Sequence, residues 1–125
     1  NPSMMFASRA PHHRRAVLEM PITVLPGIRF PFIGTTLAMM GTRGYKITKP
    51  FLSRASFLNL EFHGIDLMDL DADGIDPTLR AQRDLRIGLD EKLDVFSAVL
   101  SDAAKGWEVQ TLEELAPRFK GPKAK

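Results

Sequence analysis

Cysteine is absent from the 125-residue sequence. Its absence excludes disulfide staples, thiolate-bound metals and cysteine nucleophiles, and leaves the redox compartment unread. A dominant charge is lacking too. Seventeen Lys and Arg stand against fifteen Asp and Glu, a formal net charge of +2. That excess is too small for the basic footprint of a nucleic-acid binder. No apolar run approaches the roughly 18–20 residues that cross a bilayer. The longest, such as Ile28-Arg29-Phe30-Pro31-Phe32-Ile33-Gly34, are broken by Pro, Gly and charge. Histidine is scarce at three residues, so a zinc site made wholly within this chain is difficult to build. Gly27, Gly34 and Gly41 form no nucleotide-binding fingerprint, and there is no internal repeat. The chain starts at Asn1 without Met, and its first residues lack the basic head and long apolar middle of a secretory signal. It reads as a processed product or as part of a longer sequence.

What is present suits one compact domain: 44% hydrophobic and 26% charged residues. Residues 1–16 read as a polar, basic arm or loop carrying His12, His13, Arg14 and Arg15, and residues 117–125 as a basic tail. Between them, the alternation of Leu18, Met20, Ile22 and Val24 predicts a strand over 17–25. Pro26-Gly27 is a turn signal, and Ile28 to Ile33 a second extended piece. A short helix is expected over Thr35–Met40, stopped by Gly41, and another from about Lys46 to Ala55 with Pro50 near its first turn. Phe57 to His63 is the strongest strand, with Leu58, Leu60 and Phe62 on one face and Asn59, Glu61 and His63 on the other. A long Asp-rich connection covers 64–87. The clearest helix spans Asp90–Lys105, with Leu89, Leu93, Phe96, Leu100 and Ala103 or Ala104 as its apolar stripe and Lys92 off it. Trp107–Gln110 reads as a short strand. Thr111 and Glu114 form a capping box opening a short helix that Pro117 ends. Strand and helix alternating in this way imply a parallel α/β architecture.

The candidate chemistry gathers on the Phe57–His63 strand. A strand covered by helices on both faces should be apolar on both, and this one is not. His63 stands at its C-terminal end with Glu61 and Asn59 beneath it on the same face. A His beside a carboxylate suits general acid or base work; the bland reading is a half-solvated edge strand. Asp69-Leu70-Asp71-Ala72-Asp73-Gly74 begins like a calcium loop, but Pro77 and Arg80 occupy its ninth and twelfth positions, so the EF-hand reading fails. Met39-Met40 are most simply core, and Trp107 is an anchor.

Three stretches resemble the C-terminal half of the polysaccharide deacetylase family, metal-dependent carbohydrate esterases with the chitooligosaccharide deacetylase homology fold. They are Leu18-Glu19-Met20-Pro21-Ile22 followed by Gly27 to Thr35; Asn59-Leu60-Glu61-Phe62-His63-Gly64-Ile65-Asp66, similar to the family's late Leu-x-x-His motif; and Gly106-Trp107-Glu108-Val109 leading into Thr111-Leu112-Glu113-Glu114-Leu115. The resemblance implies that residues 17–116 form the C-terminal half of a distorted (β/α) barrel. A whole barrel takes ~250 residues, so the N-terminal half would be a partner supplied from outside this chain.

The activity implied is removal of N-acetyl or related acyl groups from amino sugars of a glycan or glycolipid. A divalent metal, commonly zinc, would be bound by residues outside this chain, since nothing here matches the family's His-x-x-x-His. His63 would protonate the leaving amine. Leu60 would line the acyl pocket or core, and Glu61, Glu19 and Asp66 would bind substrate. The competing reading is a non-catalytic α/β binding or assembly module that uses the polar strand face and the basic ends. Neither reading involves nucleic acid or a transmembrane segment, and an oligomer is open to both.

Overall fold

A computed structural model of the chain describes residues 12–14, 17–25 and 29–119, and for 12–19 only the backbone. Strand β1, His12–Arg14, pairs antiparallel with β2, Val17–Glu19, in the register His12↔Glu19. Part of the expected basic arm is thus one strand of an antiparallel pair. The Pro26-Gly27 turn lies outside the described residues, but its flanks close on each other. The Leu25 amide donates to Phe30 O at 2.8 Å, and the Arg29 amide to Leu25 O at 3.0 Å.

Helix α1, Gly34–Leu52, is two helical runs joined across a kink at Gly41. There φ is 62° and ψ 179°, a conformation that glycine adopts without the Cβ penalty other residues carry. The expected break at Gly41 is therefore present, but the chain re-enters a helix at once. Pro50 falls in the last turn rather than the first. Lacking an amide hydrogen, it leaves the Lys46 carbonyl without its helical donor, and the helix ends two residues later.

Helix α2, Leu89–Gly106, matches the expected span within a residue at each end, with Asp90 and Glu91 in its first turn and Lys105 in its last. Its buried face, however, is Lys92, Val95, Phe96 and Val99. Leu93 and Leu100 of the expected stripe are 41% and 51% exposed. Both sets have helical spacing, and they differ by a rotation of one residue. Contact with α1 selects the Val95–Val99 side, where Leu37, Tyr45 and Leu52 close the core with Phe32 beneath them. Lys92 joins this face because its butyl stem packs as an apolar chain while Nζ donates to the Met68 carbonyl. Helix α3, Leu112–Leu115, starts on the expected capping box. The Glu114 amide donates to Thr111 Oγ1 at 3.2 Å, and the Thr111 amide to Glu114 Oε2 at 2.8 Å.

The expected half of a (β/α) barrel is overturned. Among the described residues the only sheet is the β1–β2 pair, and helices and 3-10 turns dominate. Phe57–His63 is extended but forms no ladder strand; its one bridge is Glu61 to Ile33. Its backbone groups are committed elsewhere. The Asn59 amide donates to Thr23 Oγ1 at 2.8 Å, Asn59 O accepts from the Thr23 amide at 3.1 Å, and Glu61 O accepts from the Gly34 amide at 2.9 Å. A parallel ladder needs evenly spaced bonds along the strand edge, and here both groups of Asn59 are taken by the one residue Thr23, through its hydroxyl and its amide, while Glu61 meets a helix start. Pro21 and Pro31 remove two further donors. Trp107–Gln110 is likewise not a strand; the Trp107 indole donates to Ala55 O at 3.1 Å and ties the end of α2 to the end of α1.

The 64–87 connection is ordered as three short 3-10 turns, Gly64–Leu67, Pro77–Ala81 and Asp84–Arg86. No helix among the described residues is long and apolar enough to cross a membrane.

Candidate active site

The alternation along 57–63 survives without a ladder, because it needs only an extended backbone. Leu58, Leu60 and Phe62 pack against the core, and the Phe62 ring meets Phe96 edge-on at 5.2 Å. That anchorage turns Glu61 and His63 together to the other side. His63 Nε2 lies 3.1 Å from Glu61 Oε1, with the His63 side chain 55% exposed and the Glu61 side chain 42%. A polar contact this open contributes about 0–1 kcal/mol, so an incoming molecule can displace Glu61 from Nε2 at little cost.

Asp66 lies behind His63. The segment turns into the 3-10 helix Gly64–Leu67 immediately after His63, which brings Asp66 back beneath it. The His63 amide donates to Asp66 Oδ2 at 2.8 Å, and the Asp66 amide returns a bond to His63 O at 3.0 Å. Asp66 Oδ1 accepts from Thr35 Oγ1 at 2.9 Å. The carboxylate is fully buried, and Oδ2 is 3.7 Å from His63 Nδ1. Buried carboxylates persist where hydrogen bonds satisfy them, and this one holds a donor on each oxygen.

Of the residues singled out from the sequence, Glu61, His63 and Asp66 come together. Leu60 packs against the core and borders the groove described below. Glu19 belongs to β2, where its backbone pairs with His12; its side chain lies outside the description. Gly34 and Thr35 were not anticipated. The signal for them was the spacing His63-x-x-Asp66, which is that of an N-cap and its third residue. A Cβ on Gly34 would stand 2.2 Å from Asp66 Oδ2, so only glycine admits the carboxylate there.

No three His, Asp or Glu side chains among the described residues are placed to hold a metal ion. The donor set at His63 explains why it is unsuited. Asp66 has both oxygens engaged from within, which leaves one imidazole and one carboxylate where zinc wants three protein ligands. The Asp69–Gly74 loop folds around two of its own carboxylates. Asp69 accepts from the amides of Ala72 at 2.6 Å, Asp71 at 3.1 Å and Leu89 at 3.3 Å, and Asp73 accepts from the Asp69 amide at 2.8 Å. These backbone donors, Ala72 foremost, hold the Asp69 carboxyl below its usual range.

Two cavities flank α2. One, of about 330 Å³, has an apolar floor of Phe32, Leu58 and Val99, with Tyr45, Lys49 and Asp102 at its side. Asp102 Oδ2 accepts from Tyr45 Oη at 3.0 Å and pairs with Lys49 Nζ at 2.8 Å. Lys49 and then Tyr45 pull the Asp102 carboxyl down, while burial first, and then Asp102, push the Tyr45 phenol up. The other, a groove of about 740 Å³, runs between 56–60 and the segment 106–118, bordered by Leu60, Leu100, Val109 and Leu112. Leu100 and Ala103, from the stripe expected to be core, face this groove. No protein-family model, curated protein or solved structure matches the chain.

Proposed function

We propose that the chain contributes the proton donor of an amide hydrolase, with His63 protonating the leaving nitrogen of an N-acyl amino sugar in a glycan or glycolipid. The observation that carries this reading is the exposed His63 ring paired with Glu61 at 3.1 Å, on a backbone held from behind by buried Asp66. The Leu60-x-x-His63 spacing and the resemblance to polysaccharide deacetylases support it. Hydrolysis adds water across the acyl C–N bond; the carbon keeps the hydroxyl and the nitrogen takes a proton. An amine leaves poorly as an anion, so a positioned acid at the nitrogen is what the bond cleavage requires. Glu61 keeps the ring oriented until the substrate displaces it. A divalent metal, zinc by the same resemblance, would be held by residues outside this chain, and no step is assigned to it.

The test is acetate release from N-acetylglucosamine oligomers in the presence of zinc. His63→Ala should lower turnover by roughly 10²–10⁴ with an unchanged circular dichroism spectrum. Turnover equal to that of the unsubstituted protein would reject the role of His63.

A second reading, a binding or assembly module, is favoured by one observation. The groove of about 740 Å³ keeps Leu100, Val109 and Leu112 at 51%, 77% and 58% exposed. Apolar surface gathered in a groove marks contact sites more often than scattered exposed residues do. On this reading Leu100→Glu abolishes a protein contact measured by sedimentation, while His63→Ala leaves it intact.

A further inference from the structure

We propose that Asp66 is a positioning residue for His63, acting on it from inside the fold. This rests on the reading of His63 as a proton donor and assigns a further residue to the same site.

Three observations converge on Asp66. Its side chain is wholly buried, so it has no route to a substrate. Its two oxygens have separate duties: Oδ1 is held by Thr35 Oγ1 at 2.9 Å, and Oδ2 holds the His63 amide at 2.8 Å and stands 3.7 Å from Nδ1. Finally, the first residue of α1 is a glycine whose missing Cβ is the space the carboxylate fills.

The same helix start also holds Glu61, since the Gly34 amide donates to Glu61 O at 2.9 Å. Gly34 and Thr35 therefore position both members of the surface pair, Glu61 directly and His63 through Asp66. A site of this kind depends on how closely its supporting shell fixes the reacting side chain. Misplacement by about 1 Å can cost on the order of 10² in rate. Thr35 supplies the hydroxyl that holds Oδ1 of Asp66, and Asp66 in turn pins the His63 backbone amide and sets a carboxylate oxygen 3.7 Å from Nδ1, on the side of the ring that Glu61 does not touch.

The test reads the ring itself, independently of turnover. In the full chain, three-bond couplings and ring carbon relaxation should report a single His63 rotamer. Asp66→Asn leaves one acceptor oxygen for two donors and removes the carboxylate charge beside Nδ1, and Thr35→Val deletes the donor to Oδ1; both should give an averaged rotamer. Thr35→Ser should restore the single one. Where the protein is active, Asp66→Asn should lower kcat by roughly 10- to 100-fold with KM little changed, because the substrate contacts remain.

If Asp66→Asn fails to fold, the Thr35→Val and Thr35→Ser pair decides the matter. A single His63 rotamer retained in Thr35→Val overturns the proposal whatever the turnover. Averaging in the variants of a protein without acetate release rejects the proposed reaction and leaves the positioning role standing.

Discussion

Replacing Gly34 by Ala puts one methyl group where Asp66 already is. The added Cβ would lie 2.2 Å from Oδ2, 2.5 Å from Cγ and 3.0 Å from Cβ of Asp66, inside any tolerable contact. Asp66 has nowhere to retreat, because it is fully buried with both oxygens engaged. Overpacking a closed site costs about 1–3 kcal/mol, and stranding a buried polar group about 1–3 kcal/mol more. Alanine recovers about 0.5–1 kcal/mol as the better helix former. The net loss is about 1–5 kcal/mol, and its middle value of about 3 kcal/mol lowers the melting temperature of a domain of this size by roughly 10 °C.

Urea unfolding followed by circular dichroism measures this loss directly. A double-mutant cycle with Asp66→Ala identifies the cause: with the carboxylate gone the methyl group has room, so the two penalties should fall short of additive by about 1 kcal/mol or more. A Gly34→Ala variant as stable as the parent, or more so, would refute the reasoning, since helix propensity alone would then decide the outcome.

Further outcomes concern the rest of the fold. Val99→Ala should cost about 1.5–3 kcal/mol by urea unfolding and Leu100→Ala within about 0.5 kcal/mol; the reverse order would restore the expected stripe. Lys92→Ala should cost about 2–5 kcal/mol, and Lys92→Met should recover most of it, because the stem is retained without a charge to bury. The Tyr45–Asp102–Lys49 cluster makes stability depend on pH at both extremes. Asp102 has its folded pKa below the ordinary 3.8, so its contribution is present above that value and lost as pH falls through the lower one. The Tyr45 pKa is raised above 10.0, so the folded state keeps the phenol proton longer and stability declines as pH rises beyond 10. Melting temperatures against pH should therefore show a shallower acid limb in Asp102→Asn and a shallower alkaline limb in Tyr45→Phe.

Local signals were legible in the sequence, and the assembly of the elements was not. The bounds of α2, the Thr111–Glu114 capping box, the break at Gly41 and the shared face of Glu61 and His63 all follow from spacing within a few residues. The buried face of α2 did not follow, because two apolar stripes one residue apart have the same period and only the placement of α1 decides between them. The barrel expectation failed for a related reason. An alternating apolar pattern requires an extended backbone but does not require a neighbouring strand, and along 57–63 the neighbours are one threonine, Thr23, through its amide and hydroxyl, and a helix start. At the site, it was the family resemblance that made Asp66 a substrate contact. The cap spacing from His63 instead turns it inward, onto a glycine that leaves room for it.

The most direct test of the account compares two substrates in His63→Ala. An N-acetyl amino sugar loses an amine that needs a proton, whereas 4-nitrophenyl acetate loses a phenolate that does not. The account predicts a loss of roughly 10²–10⁴ on the amide and nearly unchanged turnover of the ester. Equal losses on both substrates, or none on the amide, would contradict the role of His63 as the proton donor.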